Sequence, residues 1–320
     1  LNLEFEPWWL LALPLFFALG WWASRLDHRG AGRASSGAGE PPASEQALLA
    51  LLRDDTPAAI ESLTARIGQE PDSVALQSAL GLLYRRRGEV DRAIRVHQAL
   101  ADRADLAPAL RHQAQLELGV DFIKAGLMDR AETTLADLAG TDHAQEAMRL
   151  RIEMAQSVRD WPKALALTEA SEQAGGPSQA IRRMHLQCEI AHESEDPDVA
   201  RAAIDRALQA CGDHPRPWML LGLWASFRQD APAAIDAWTQ MAKHSPEHLL
   251  LVQGPWTQAW AAIGAPDGGA RRWQELLETL PRRAPVHACI QCGFKARRHY
   301  WQCPGCSAWD SLPPRGELPA

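Results

Sequence analysis

Four cysteines near the end of the chain offer the clearest chemistry. Cys289-Ile290-Gln291-Cys292-Gly293 is followed by Cys303-Pro304-Gly305-Cys306, with ten residues between Cys292 and Cys303. A Cys-x-x-Cys pair folds into a tight knuckle whose two sulfurs face one ion, while nearby backbone amides can hydrogen-bond to the thiolates. Two knuckles supply a tetrahedron of sulfur, which suits one zinc or one iron ion. All four positions are thiolates, so no open position remains for substrate, and the ion is read as structural. Cys188 and Cys211 complete the six cysteines and read as small core residues of helices.

Other chemistry is absent from the motifs. There is no Gly-Lys phosphate loop, no Gly-x-Ser-x-Gly elbow, no His-Glu-x-x-His and no calcium loop. The histidines are dispersed, no catalytic residue is assigned, and the chain is read as no enzyme. With 320 residues at a formal net charge of -7, a chain-wide attraction to nucleic acid is not expected. The stretch around the cysteines is locally basic instead, through Arg282, Arg283, Lys295, Arg297 and Arg298. It could meet RNA, anionic lipid or an acidic protein, against the plainer reading of a solubilising surface. Phe294, Tyr300, Trp301 and Trp309 are expected to wrap this small module, which has too few residues for a core of its own.

What must position the cysteines is a long helical array behind a membrane anchor. Residues 7–24 carry no charge, and Trp8, Trp9, Trp21 and Trp22 bracket an apolar middle, the pattern of a single membrane-spanning helix. Eighteen helical residues reach about 27 Å, close to the thickness of a hydrocarbon core. Acids precede the segment and Arg25, Arg29 and Arg33 follow it, which places residues 1–6 outside and the body in the cytoplasm. In that reducing compartment metal is favoured over two disulfides. The Gly, Ser and Pro of the 25–44 flank and linker read as a flexible tether.

Beyond the tether, a small alanine recurs ahead of an aliphatic face at Ala59, Ala93, Ala131, Ala164, Ala200, Ala234 and Ala270, in steps of 33 to 38 residues. This is the period of tetratricopeptide repeats, in which a small residue lets the second helix of each pair pack closely on the first. Leu80-Gly81 with Tyr84, Leu118-Gly119 with Phe122, and Leu221-Gly222 before Ala234 keep the repeat register. The fold expected is all-α: a tetratricopeptide-repeat solenoid of about seven helix pairs over 45–283, one N-terminal transmembrane helix, and a small four-cysteine metal knuckle module over 284–312, with 313–320 as a tail. The repeat register projects Arg85, Arg86, Lys124, Arg182 and Arg216 toward the concave side, a candidate face for an acidic partner segment. A solvated charged face is the alternative.

The order of parts resembles the lipopolysaccharide assembly protein B family of Gram-negative bacteria. Arg87-Gly88-Glu89-Val90-Asp91-Arg92-Ala93 looks like that family's early repeat, and Ala125-Gly126-Leu127 with Asp129-Arg130-Ala131 like the next. The segment from Cys289 to Cys306, with Cys292-Gly293-Phe294, Tyr300-Trp301 and Cys303-Pro304, resembles its rubredoxin-like module. Ser307 stands where rubredoxins usually carry a second knuckle glycine, which would loosen that turn. The resemblance implies an inner-membrane, single-pass adaptor. It would bring the lipid A pathway deacetylase to the membrane AAA+ zinc protease for degradation, possible further partners being other lipopolysaccharide biosynthesis or transport proteins. It also implies iron or zinc at Cys289, Cys292, Cys303 and Cys306. The alternative is a tethered scaffold that assembles biosynthetic enzymes without controlling their turnover.

Overall fold

The computed structural model describes residues 55–265, 271 and 287–313. The expected span at 7–24, the 25–44 linker, Ala270, Arg282, Arg283 and the tail beyond 313 lie outside them. Among the described residues no helix is long and apolar enough to cross a membrane. The chain divides into two compact units, the first ending at Thr134 and the second beginning at Leu135.

Twelve α-helices are described, arranged as successive helix-turn-helix repeats. The first unit holds α1 (Thr56–Gln69), α2 (Val74–Arg86), α3 (Val90–Ala101) and α4 (Pro108–Lys124). Helix α5 (Met128–Ala136) spans the boundary between the units. The second unit continues with α6 (Ala144–Ser157), α7 (Trp161–Gln173), α8 (Ala180–Glu193), α9 (Pro197–Ala210), α10 (Pro215–Phe227) and α11 (Ala231–His244). A 3₁₀ turn (Pro246–Val252) leads into α12 (Gln253–Ala262). The two short strands β1 (His287–Ala288) and β2 (Lys295–Ala296) pair antiparallel in the cysteine module.

Four of the repeat turns share one physical solution. After α2, α4, α6 and α10 the chain enters the left-handed region once, at Gly88, Gly126, Arg159 and Gln229. The next amide then returns to the helix, Glu89 to Tyr84, Leu127 to Phe122, Asp160 to Ala155 and Asp230 to Ala225, each at 2.8 or 2.9 Å. This closes otherwise orphaned carbonyls at the helix end. Four helices start on aspartate: the side chains of Asp55, Asp160, Asp196 and Asp230 accept from first-turn amides of α1, α7, α9 and α11, with proline in each first turn.

The small alanines sit where helices approach most closely. Ala59, Ala93, Ala131, Ala164 and Ala234 are wholly buried, and Ala200 nearly so. Glycine does the same for the first helix of a pair. A Cβ on Gly222 would lie 2.2 Å from Nε1 of the buried Trp238, and one on Gly81 would lie 2.5 Å from Nε2 of His97. Buried His97 is itself held by Asp121, Nδ1 to Oδ2 at 2.5 Å. Arg85 donates to the other oxygen of Asp121 at 3.0 Å and to Glu117 Oε2 at 2.6 Å. A carboxylate with no exposure is thus satisfied from both sides, as burial of charge demands.

Candidate metal centre and its seat on the repeats

The two knuckles repeat one another bond for bond. Gly293 N–H donates to Cys289 O at 2.9 Å, and Ser307 N–H to Cys303 O at 2.8 Å. The Cys289 and Cys303 amides in turn donate to Phe294 O and Ala308 O, both at 2.8 Å. Gly293 and Ser307 occupy the same left-handed conformation, at φ 73° and 57°. The second turn therefore closes as tightly as the first; the loosening expected at Ser307 does not occur, and the serine instead takes a strained conformation that glycine adopts freely. Gly305 donates its amide to Cys303 Sγ at 3.3 Å, and its missing side chain leaves room for Phe294 and Cys292 Sγ, which a Cβ would meet at 3.3 and 3.4 Å.

The four sulfurs lie within 4.8 Å of one another. Cys289 faces Cys306, and Cys292 faces Cys303, both at 3.7 Å. The edge of a tetrahedron with 2.3 Å metal–sulfur arms is about 3.8 Å, so the donors already stand at the spacing a metal requires. The thiols differ in their ionisation. A hydrogen bond with Ser311, together with the Cys292 and Gln291 amides, outweighs desolvation and draws the Cys289 thiol down to about 6. The Phe294 amide favours a thiolate at Cys292, yet desolvation and the neighbouring thiols push it up to about 12. Four thiolates at this spacing need a cation, and the residues fit one.

The cysteine module packs against the repeats of the second unit through one aromatic and acidic edge. Trp309 stacks on His185 of α8, ring centroids 4.6 Å apart and 10° from parallel. Trp301 stacks on His248 of the 3₁₀ turn at 5.1 Å and the same angle. The Arg216 guanidinium of α10 lies 5.5 Å from the Trp301 ring and 5.4 Å from the Trp309 ring. Between these rings Asp310 Oδ2 reaches His185 Nε2 at 2.6 Å and His214 Nε2 at 3.2 Å. Asp310 is tied to Trp301 in turn, its amide donating to the Trp301 carbonyl at 2.8 Å.

Hydrogen bonding assigns the tautomers. Arg216 Nη1 lies 2.8 Å from His185 Nδ1, and its backbone amide 3.2 Å from His214 Nδ1. An arginine only donates, so both Nδ1 atoms accept and both Nε2–H groups point at Asp310. Burial lowers the His185 pKa to about 4, keeping the ring neutral. Burial opposes charge on Asp310, but the two imidazole hydrogen bonds hold its carboxyl well below the usual range. His185, His214 and Asp310 have the spacing of metal ligands as well. With both Nε2 positions protonated and the Arg216 cation adjacent, the cluster is a latch between ribbon and repeats rather than a second metal site.

The chain is similar to known proteins over its metal module and over most of its length. Residues 287–314 match a family described as a rubredoxin metal binding domain. The chain is 26% identical to lipopolysaccharide assembly protein B of Escherichia coli strain K12, covering 82% of this chain and 87% of that protein. It is 22% identical to the protein of the same name from Haemophilus influenzae, over 73% of this chain and 78% of the other. The chain resembles lipopolysaccharide assembly protein B. Among solved structures, a tetratricopeptide repeat protein from Parabacteroides merdae aligns over 74% of this chain and 96% of its own, at 14% identity and a TM-score of 0.40.

The five cations that the repeat register projects toward the concave side differ in their surroundings. Arg85 lies largely inside the first unit, on Glu117 and Asp121. Arg216 is 5% exposed, donates to Glu189 Oε1 at 2.6 Å and supports the latch. Arg182 is half-buried and bonds Gln179 Oε1 at 2.5 Å, while Arg86 and Lys124 are exposed. Cys188 is buried, and desolvation pushes its thiol up to about 12, as suits a packing residue. The latch histidines were not legible from sequence, nor was the direction of Trp301 and Trp309, which face the repeats instead of only wrapping the module. The available signal was a Trp-Asp pair just after the second knuckle, with polar His185 and Arg216 at otherwise apolar helix positions. What the resemblance to lipopolysaccharide assembly protein B implied for the metal ligands is matched by the gathering of all four thiols.

Proposed function

We propose that the chain is a non-enzymatic inner-membrane adaptor that regulates lipopolysaccharide synthesis by presenting the lipid A pathway deacetylase to the membrane AAA+ zinc protease. The observation that carries this reading is the similarity to proteins named lipopolysaccharide assembly protein B across 82% of the chain. The division of labour follows from the parts. The 7–24 segment anchors the body to the membrane and meets the protease there. The repeats of each unit offer partner surface: Arg86 and Lys124 are exposed in the first unit and Arg182 is half-buried in the second, while Arg85 and Arg216 order the helices around them. One iron or zinc ion on Cys289, Cys292, Cys303 and Cys306 keeps the ribbon folded, and the latch holds it on the repeats.

The test is the half-life of the deacetylase after new synthesis is blocked, with and without this protein. A marked lengthening on depletion is the expected result. An unchanged half-life with altered co-localisation of the biosynthetic enzymes would point to the scaffold reading instead.

A further inference from the structure

We propose that the exposed tip of the first knuckle is a docking surface for anionic lipid headgroups, a second membrane contact besides the N-terminal segment. The latch uses Trp301, Trp309 and Asp310, and His299 lies against His248 and Trp301, while Ile290, Phe294, Lys295, Arg297, Arg298 and Tyr300 stay exposed. Ile290, at the tip of the knuckle turn, is 77% exposed. Phe294 and Tyr300 are 37% exposed each. Lys295, Arg297 and Arg298 lie between them and are all exposed, the Arg298 guanidinium 5.8 Å from the Tyr300 ring.

The charge balance is one-sided. From 287 to 309 there is no Asp or Glu, and Asp310, the only acid of the described ribbon, is engaged by His185 and His214. A four-thiolate cage around a divalent ion is doubly negative, and the three cations more than offset it. Solvent-exposed apolar groups interleaved with cations match an interface of acyl chain edge and phosphate, where each basic residue near an anionic surface contributes roughly fivefold in partitioning. An RNA site would be built on aromatic faces for bases, whereas the most exposed apolar side chain here is aliphatic. An acidic protein partner would need a broad patch, and this tip is one narrow turn. A bilayer also meets the tip at high effective concentration if 7–24 anchors the same chain. The knuckle supplies rigidity: coordination by Cys289 and Cys292 on either side of Ile290 holds it outward without an ordering cost on binding.

The experiment places the full chain, zinc-loaded, in nanodiscs of phosphatidylcholine alone or with added phosphatidylglycerol. Hydroxyl-radical labelling then reads the Ile290, Phe294 and Tyr300 side chains. Labelling is expected to fall several-fold in the anionic discs only, to recover at high salt, and not to fall in R297E/R298E with zinc content unchanged. Equal labelling in the two bilayers would overturn the proposal, as would protection insensitive to both salt and charge reversal, or protection that needs added RNA or acidic protein. Should the variant lose zinc, the salt series on the unaltered chain decides. Entry into the neutral discs reads the membrane span separately, and a chain that fails to enter is labelled with the same lipids added as vesicles.

Discussion

Asp310 accepts a hydrogen bond from His185 Nε2 at 2.6 Å across 125 residues of sequence. Through this pair the metal ribbon is held to the repeats by a charge on one side and a neutral ring on the other. Arg216 sets the ring's proton, and two tryptophans shield the contact. Whatever orders the second knuckle also orders Trp301 and Asp310, which flank Cys303 and Cys306 in sequence.

Replacing Asp310 by alanine is expected to weaken this seat by about 1.5 to 3 kcal/mol, the range for hydrogen bonds to a charged group. Hydrogen exchange in α8 and in 301–310 should quicken while metal content stays at one ion per chain. Unaltered exchange would show that stacking alone holds the ribbon.

Acid should open the latch. Seated, His185 has its pKa lowered to about 4; released, it returns to about 6.5. The released state binds more protons below pH 6.5, so seating is at full strength above that value and declines as pH falls toward 4. The depressed pKa of Asp310 acts in the same direction, its contribution being lost as pH falls. Nitrogen NMR of His185 should show a neutral ring down to about pH 4 in the unaltered chain, and titration near the ordinary value where the ribbon has left the repeats, as expected of Cys303→Ser.

Cys303→Ser removes one of four thiolates from a buried site. Metal is expected to be lost and the ribbon to unfold, with Trp301 and Trp309 leaving the repeats. The far-UV spectrum should keep its helical form, because the helix pairs have their own core around Ala234, Trp238 and Met241. A metal-replete ribbon in this variant would contradict the coordination proposed.

Alanine at Gly222 would drive a methyl group into the Trp238 indole, and alanine at Gly81 would meet the His97 ring. Both rings are buried, so each substitution should cost about 1 to 3 kcal/mol in denaturant unfolding. Wild-type stability in either would mean that the helices separate at no expense.

Ser307→Gly should stabilise the second knuckle by up to about 1 kcal/mol, since φ 57° burdens serine and not glycine. Slower metal loss to a chelator would register it, and an unchanged rate would place the strain elsewhere.

The sequence alone was sufficient for whatever depends on local spacing. The alanine period and the Leu-Gly pairs carry the helix pairs, because helix packing demands a small residue once per repeat. The two Cys-x-x-Cys knuckles carry the thiolate cluster, because the tight turn by itself brings each pair of sulfurs together. The 7–24 segment and its flanks read as an anchor on hydropathy and charge, and lie outside the described residues.

Tertiary structure decided what becomes of the charges and aromatics. Arg85 and Arg216 share a repeat register with exposed Arg86 and Lys124, yet Arg85 folds onto Glu117 and Asp121 and Arg216 supports His185. A long, flexible guanidinium can turn outward or inward, and the choice rests on carboxylates and rings that arrive from distant segments. The latch is the clearest case. His185, His214, His248, Trp301, Trp309 and Asp310 are unremarkable in sequence, since no local spacing relates them. They become a site only where the ribbon comes to rest on α8, α10 and the 3₁₀ turn, and desolvation there keeps His185 neutral and gives the Asp310 charge its partners.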